Sequence, residues 1–140
     1  MGESEIEIHI NEIDIDKEIP QKYLLTEAMI RNNDIDTVEK ILNEAEEDSY
    51  SIHTIVNLPI APLNQTALHL AASEGLFDLV CLLLQNGANI NTLDKNCWSP
   101  LHCAAYHKHL DVSEVLLTQK ANVTLLTDSG FYFLQFIIQT

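Results

Sequence analysis

Residues of the types that bind metals or act as nucleophiles are concentrated in one short stretch, at Cys97, His102, Cys103, His107 and His109. Thiolates and imidazoles are ligands that Zn²⁺ prefers, and a thiol beside an imidazole could form a cysteine nucleophile. Structural zinc sites usually pair their ligands as C-x₂₋₄-C and H-x₃₋₅-H, a spacing that this set does not reproduce. No nearby residue is evidently placed to orient the imidazole or to form an oxyanion hole. A zinc- or thiol-dependent enzyme is therefore a remote alternative.

Other catalytic patterns give no stronger indication of an enzyme. The chain has no glycine-rich phosphate loop and no paired carboxylates in a predicted cleft. Cys81 lies on a leucine-rich helical segment, where a small packing residue is the simpler interpretation. We therefore predict no catalytic residue, no metal site and no cofactor.

The elements that must position these side chains form an internal repeat. Moving residues 65–91 along the chain by 33 positions superimposes nine identical residues on a second copy that begins at Ser99. The identities are Leu68/Leu101, His69/His102, Ala71-Ala72/Ala104-Ala105, Asp78/Asp111, Leu83-Leu84/Leu116-Leu117 and Ala88-Asn89/Ala121-Asn122. A period of 33 with a T-x-L-H-x-A-A core is typical of the ankyrin repeat, and residues 22–140 resemble that family.

The resemblance implies an all-α ankyrin-repeat solenoid, with about three and a half helix-turn-helix repeats joined by β-hairpin loops. The repeats are expected at about residues 22–57, 58–91 and 92–124, with a partial repeat at 125–140, so that the domain covers residues 21–140. The first repeat divides at Asn32-Asn33, and the polar insertion near residues 47–54 is interpreted as a passive loop. In the family, the histidine represented by His69 and His102 joins a hydrogen-bond network with the backbone and the capping hydroxyl.

Residues 1–20 form a separate acidic segment in which isoleucine alternates with polar residues at Ile6, Ile8 and Ile10. One acidic segment without a hairpin turn has no partner strand of its own, so we expect it to be flexible. The alternative is a strand that docks on an exposed edge of this chain or of another chain.

The charge balance limits the classes of partner. The net charge is −14, and residues 1–50 hold 15 acidic side chains against four basic ones. Such a field repels nucleic acid and anionic lipid and favours a protein with a basic surface. The simpler interpretation is a solubilising acidic tail on an ordinary acidic domain. No apolar run approaches the length of a membrane span, and the N-terminus does not resemble a secretory signal. Three irregularly spaced cysteines favour a reducing compartment, so we expect a cytoplasmic location, with the nucleus as the alternative.

The resemblance implies that partners contact the hairpin tips and the adjoining face of each first helix. Carried onto this sequence, those positions are Leu63, Gln65, Ser73, Glu74, Lys95, Asn96, Trp98, Tyr106, His107, Asp128 and Phe131. We expect the contact to centre on Trp98, because its repeat position holds glutamine, tryptophan and phenylalanine in turn and so has no fixed packing role. Tryptophan and tyrosine are also enriched at interface hot spots. The alternative is that Trp98, Tyr106 and Phe131 pack between adjacent hairpins as local structure.

The sequence predicts a protein-interaction module, and we expect it to be the N-terminal part of a larger signalling or scaffold protein. The alternative is a stand-alone ankyrin-type inhibitor of an enzyme or transcription factor. The segment 131–138 is apolar except for Gln135, so a helix there should be buried on nearly every side. We therefore expect either a longer natural chain or self-association through this helix.

Overall fold

The structure, a computed structural model, describes residues 18–138, which form consecutive helix pairs preceded by a 3₁₀ turn at Gln21–Tyr23. The α-helices in this part of the chain are α1 (Glu27–Arg31), α2 (Ile35–Glu47), α3 (Ile52–Val56), α4 (Ala67–Glu74), α5 (Phe77–Gln85), α6 (Pro100–Tyr106), α7 (Leu110–Thr118) and α8 (Phe133–Ile138). The expected all-α ankyrin-type architecture is confirmed.

The first helices of successive repeats form one continuous inner row. Helix α1 packs against α4, α4 against α6, and α6 against α8, while the second helices α5 and α7 pack against each other behind them. Alanines at positions 71, 72, 104 and 105 are buried, and their small side chains allow this close approach. Each repeat therefore buries its apolar face only against its neighbours, as expected of a solenoid.

Local sequence determines where each inner helix begins. The hydroxyl oxygens of Thr66 and Ser99 accept the N–H of His69 and His102, three residues later, at 3.4 and 3.3 Å. These bonds satisfy backbone donors that the first turn of a helix leaves unpaired. Pro100 then occupies the first position of α6, where its missing N–H costs nothing.

The turn that follows α4 requires glycine for two reasons. Gly75 has a φ of +70°, and a Cβ there would lie 2.5 Å from the His109 ring. The next repeat makes the corresponding turn with Lys108, whose φ is +62°. Lys120 likewise has a φ of +66° at the position that Gly87 occupies one repeat earlier. Because left-handed backbone is unfavourable for residues with a Cβ, the third repeat has two strained turns where the second has glycines.

The insertion after the first repeat is more ordered than the sequence indicates. The sequence predicts a passive loop at residues 47–54, but Ser51 caps a short helix, α3, by accepting the N–H of Thr54 at 3.2 Å. Ile55 and Val56 of that helix are buried in the core. The loop interpretation is therefore wrong for residues 52–54, which belong to this helix because Ile55 and Val56 at its end gain by packing in the core.

The hairpin loops at residues 58–66, 91–99 and 124–132 are joined to one another by single backbone hydrogen bonds. The N–H of Lys95 donates to the Leu63 carbonyl at 2.8 Å, and the N–H of Asp128 donates to the Asn96 carbonyl at 3.0 Å. Between residues 18 and 138 the only β-bridge joins Ile60 and Gln65, within the first of these loops. The loops are thus tight turns fixed in register by their neighbours.

The chain ends follow the sequence interpretation only in part. Helix α8 lies where the fourth repeat is expected to begin, and the Gln135 side chain accepts the Tyr132 N–H at 2.6 Å, as the His69 and His102 side chains accept the equivalent N–H groups in α4 and α6. Leu134 is 52% exposed in the single chain, so the burial of this helix on nearly every side stays a prediction. The alternating isoleucines lie outside the described residues. None of the helices that the structure describes is long and apolar enough to cross a membrane.

Candidate functional site

Three clefts repeat along the molecule where the hairpin loops meet the inner helices. They measure about 80, 300 and 370 Å³ from the first repeat towards the last. Each contains the same position of the 33-residue frame, which is Leu70 in the first cleft, Cys103 in the second and Phe136 in the third. The two larger clefts share Trp98 and Tyr106, whose side chains form a ridge between them.

The 300 Å³ cleft, called the middle cleft below, collects most of the predicted site. Its lining residues are Leu63, Gln65, Ser73, Asp94, Asn96, Trp98, Cys103, Tyr106 and His107. Seven of these nine are predicted site residues, contributed by two hairpin loops and by both α4 and α6. These seven predicted positions therefore surround a single concavity.

The 370 Å³ cleft is called the Phe136 cleft and is walled by aromatic rings. Its lining residues are Trp98, Tyr106, Lys108, Thr127, Ser129, Phe131 and Phe136. Tyr106 meets Trp98 edge to face, with the ring centroids 5.3 Å apart, and Phe131 lies 5.9 Å from Phe136. Trp98, Tyr106 and Phe131, which the sequence places on one part of the surface, thus lie in one aromatic cluster.

Trp98 has a packing role within the chain, which the sequence analysis kept only as the alternative. Its ring stacks on Phe136 at a centroid distance of 4.9 Å and an interplanar angle of 17°, and the side chain is half-buried. The premise that this position is free of structural duty is therefore wrong. The sequence pattern could not show this contact, because the Trp98 ring packs against Phe136 on α8, which lies 38 positions further along the chain.

Three predicted site residues do not line either of the two larger clefts. Glu74 forms an ion pair with Arg31, across the contact between α1 and α4. Lys95 and Asp128 are exposed at the tips of their hairpin loops, and their N–H groups form the bonds that join successive loops. Lys95 and Asp128 can meet a partner from the rim, whereas Glu74 would first have to leave Arg31.

The two buried histidines hold successive repeats together. The N–H of Thr66 donates to Nδ1 of His69 at 3.1 Å, so Nε2 carries the proton and donates to the Trp98 carbonyl at 2.7 Å. His102 repeats the arrangement with the N–H of Ser99 and the Phe131 carbonyl. Burial lowers the pKa of both imidazoles, which keeps them in this neutral form. Each histidine thereby fixes the backbone of the next hairpin loop. His69 holds the backbone of Trp98, and His102 holds the backbone of Phe131.

The remaining groups of the cysteine and histidine stretch also have structural contacts. Burial raises the pKa of the Cys103 thiol to about 12, which leaves it protonated and a poor nucleophile at neutral pH. Nε2 of His109 donates to the Ser73 carbonyl at 2.9 Å. Within residues 18–138, no group of three or more His, Cys, Asp or Glu side chains is arranged to hold a metal ion.

The sequence interpretation missed Asp94, Cys103, Lys108, Thr127 and Phe136 as cleft residues. The repeat frame contained a signal for two of them, because Cys103 and Phe136 follow Leu70 at intervals of 33. Asp94 has a structural reason to be present, since its carboxylate accepts the N–H groups of Asn96 and Trp98 at 2.9 Å each. Lys108 could not be assigned from the sequence, because its side chain reaches the carbonyl of Phe136 only in the folded chain.

Comparison with known proteins places the chain in a family. A family model described as ankyrin repeats (three copies) matches residues 24–127. The chain is 29% identical over 101 residues to a Notch-regulated ankyrin repeat-containing protein of Xenopus laevis, covering 72% of this chain and 84% of that protein. Its identity to the Homo sapiens protein of the same description is 28% over 100 residues, covering 71% and 83%. It is also 36% identical over 120 residues to protein phosphatase 1 regulatory subunit 12A of Mus musculus, covering 82% of this chain but 12% of that protein. The chain belongs to the ankyrin repeat family.

Proposed function

We propose that this domain recognises another protein, whose chain lies in the middle cleft and the Phe136 cleft and crosses the ridge formed by Trp98 and Tyr106. Ankyrin repeats are protein–protein interaction modules, so the class of function follows from the family. The observation that carries the choice of surface is that seven of the predicted positions line one cleft. Tyr106 is 53% exposed although it is a large aromatic residue, as expected of an anchor for a partner.

The proposal also states that the protein is not an enzyme, that its partner has a basic surface, and where in the cell it acts. We place the domain among non-catalytic proteins, because the sequence contains no recognisable catalytic set and the family shares no reaction. A basic partner surface is supported by the net charge of −14, which would accelerate the encounter. The cytoplasm or nucleus is the proposed location, supported by the irregularly spaced cysteines, all of which are free thiols.

A second candidate function is the regulation of an enzyme by direct binding. It is favoured by the similarity to a protein named as a regulatory subunit of protein phosphatase 1. Both functions require the same surface and differ only in what the partner does once it is bound.

Self-association is a further element of the proposal. It is supported by the exposed apolar side chains of Tyr132 and Leu134 at the start of α8. Light scattering of the full chain at rising concentration should show dimers, and a Leu134→Glu variant should remain monomeric. A wild-type chain that stays monomeric at every concentration would contradict self-association.

The proposal is tested by affinity capture from cell lysate followed by quantitative mass spectrometry. Three baits are compared: the full chain, the Tyr106→Ala variant, and a Leu110→Ala control that removes an exposed apolar side chain from α7, away from the clefts. At least one protein should be enriched by the full chain and by the control, and be depleted about tenfold or more by Tyr106→Ala. If the captured proteins are equally abundant with all three baits, the clefts are not the binding surface.

A further inference from the structure

The middle cleft contains one carboxylate and no cation to balance it. Asp94 is half-buried and is the only acidic side chain among the lining residues, none of which is lysine or arginine. It forms no ion pair with any residue between positions 18 and 138. The first cleft differs, because its carboxylate at Glu27 pairs with Arg31 in the same wall at 2.7 Å. The middle cleft therefore presents a negative charge without a cationic partner from the described part of the chain.

The fold does not require a negative charge at this position. Oδ1 of Asp94 accepts the N–H groups of Asn96 and Trp98 and so closes the turn of its hairpin loop. One repeat later Thr127 occupies the same position, and its neutral hydroxyl accepts the N–H of Phe131, four residues further on, at 3.1 Å. A neutral acceptor is thus sufficient for the turn, and the charge of Asp94 is available for another role.

The second oxygen of this carboxylate is the atom that can meet a ligand. The only hydrogen bond that the described residues give to Oδ2 comes from the side-chain amide of Gln65, at 3.5 Å. The charge acts on the groups around the cleft. Burial lowers the pKa of His69 and His102, and the negative charge of Asp94 opposes that lowering in both. Burial raises the pKa of the Cys103 thiol in the cleft wall, and the charge of Asp94 adds to that rise.

The rest of the wall suits a guanidinium group better than an ammonium group. The side chains of Gln65, Ser73 and Asn96 each carry an oxygen that can accept a hydrogen bond. Tyr106 is 53% exposed, so its ring is accessible from the cleft. A planar guanidinium can donate from its edge while its face packs on an aromatic ring, whereas an ammonium group is compact and strongly hydrated. The volume of about 300 Å³ is at the small end for ligand pockets and suits a single side chain.

We propose that the middle cleft binds an arginine side chain of the protein partner, whose guanidinium donates to Oδ2 of Asp94 and packs against the Tyr106 ring. The inference deepens the proposed function and rests on it, since it names the side chain that the partner places on one side of the ridge. It also gives the preference for a basic partner a defined point of contact. Asp94 is in this way a specificity-determining residue for arginine.

The inference is tested with three acetylated and amidated tripeptides, Gly-Arg-Gly, Gly-Lys-Gly and Gly-citrulline-Gly. Citrulline has nearly the shape of arginine but carries a neutral urea group. Each peptide is titrated into the isotope-labelled full chain at about pH 8, where an ordinary histidine is neutral, and at physiological salt, where a Debye length of about 8 Å screens distant acidic groups. Two-dimensional NMR spectra follow the backbone N–H signals of Asn96 and Trp98, which report the site because both groups donate to Asp94.

These signals should shift with the arginine peptide, at a Kd about threefold or more below that of the citrulline peptide. The lysine peptide should bind more weakly than the arginine peptide, because its ammonium group cannot donate and pack on a ring in the same way. Equal affinities for the three peptides, no binding of the arginine peptide, or a lysine peptide that binds as tightly as the arginine peptide would overturn the inference.

The variants separate the role of Asp94 from a general effect of charge. Asp94→Asn keeps an oxygen for the two N–H groups of the turn and should lose the preference for arginine over citrulline. Asp94→Thr copies the residue of the next repeat and should lose it too, which keeps the test valid if Asp94→Asn unfolds in circular dichroism melts. Asp128→Asn removes the same charge from an exposed loop tip outside the two larger clefts and should retain the preference.

A preference that persists in a folded Asp94 variant, or that disappears in Asp128→Asn, would also overturn the inference. Depletion of a captured protein by Tyr106→Ala would still support the proposed function in each of these cases.

Discussion

Replacement of Trp98 by alanine should destabilise the domain, because its ring joins the third repeat to α8. The substitution removes the stack on Phe136 and the edge-to-face contact with Tyr106. A buried Trp→Ala change costs about 3–5 kcal/mol, and a half-buried ring should lose about half of this. Aromatic pairs add about 0.5–1.5 kcal/mol each when both rings are buried, so two pairs made by a half-exposed ring should together add about 0.5 kcal/mol. We expect a loss of about 2–3 kcal/mol in the free energy of unfolding.

The loss should be measured by circular dichroism at 222 nm, because the substitution removes the only tryptophan fluorophore. For a domain of this size, 1 kcal/mol corresponds to about 4 °C, so Tm should fall by about 8–12 °C. Trp98→Phe keeps a ring that can stack on Phe136 and should lose less than about 1 kcal/mol. Hydrogen exchange should accelerate most in α8 and least in α4, which lies one helix further along the inner row.

The reasoning would be refuted if Trp98→Ala melted within about 2 °C of the wild-type chain, or if exchange in α8 were unchanged. Either result would mean that the stack on Phe136 contributes little in solution. The binding role of Trp98 should then be judged with Trp98→Phe, because a variant that loosens α8 also reshapes the Phe136 cleft. Reduced affinity in Trp98→Phe at nearly unchanged Tm would assign a direct contact to the indole.

Two further predictions concern the turns and the histidines. Lys120→Gly should raise the free energy of unfolding by up to about 1 kcal/mol in thermal melts. Lys120 has a left-handed backbone that glycine adopts without strain, and Gly87 occupies this position one repeat earlier. A lower Tm would contradict the strain argument. Because burial lowers the folded-state pKa of His69 and His102 below that of the unfolded chain, their contribution to stability is complete above about pH 6.5 and is lost as the pH falls through the folded values. In urea melts the free energy of unfolding should fall by up to about 1.4 kcal/mol per pH unit for each histidine. A variant with both His69→Gln and His102→Gln should lack this loss. Glutamine is chosen because Gln135 occupies the same repeat position in α8. An unchanged pH dependence in that variant would exclude the histidines as its source.

The sequence by itself determined the features that depend on short spacing or on the period of the repeat. The hydroxyls of Thr66 and Ser99 and the histidines three residues later define where α4 and α6 begin, because capping uses groups within one turn of helix. The 33-residue period placed hairpin positions from different repeats on one side of the molecule. Seven of the contact positions that the family resemblance implies therefore line one cleft.

Only the tertiary structure decided which of those residues are committed to contacts within the chain. Trp98 stacks on Phe136, Glu74 pairs with Arg31, and Lys108 reaches the Phe136 carbonyl, although these partners lie 28 to 43 positions apart. Helix α3 likewise exists because Ile55 and Val56 find buried positions against other elements. The period fixes where a backbone position lies, whereas ring stacking, ion pairing and burial depend on the side chain that each neighbouring repeat presents. Repeats with the same 33-residue period therefore share a fold even when their sequences differ. The charge and shape of each cleft depend on the individual side chains that line it.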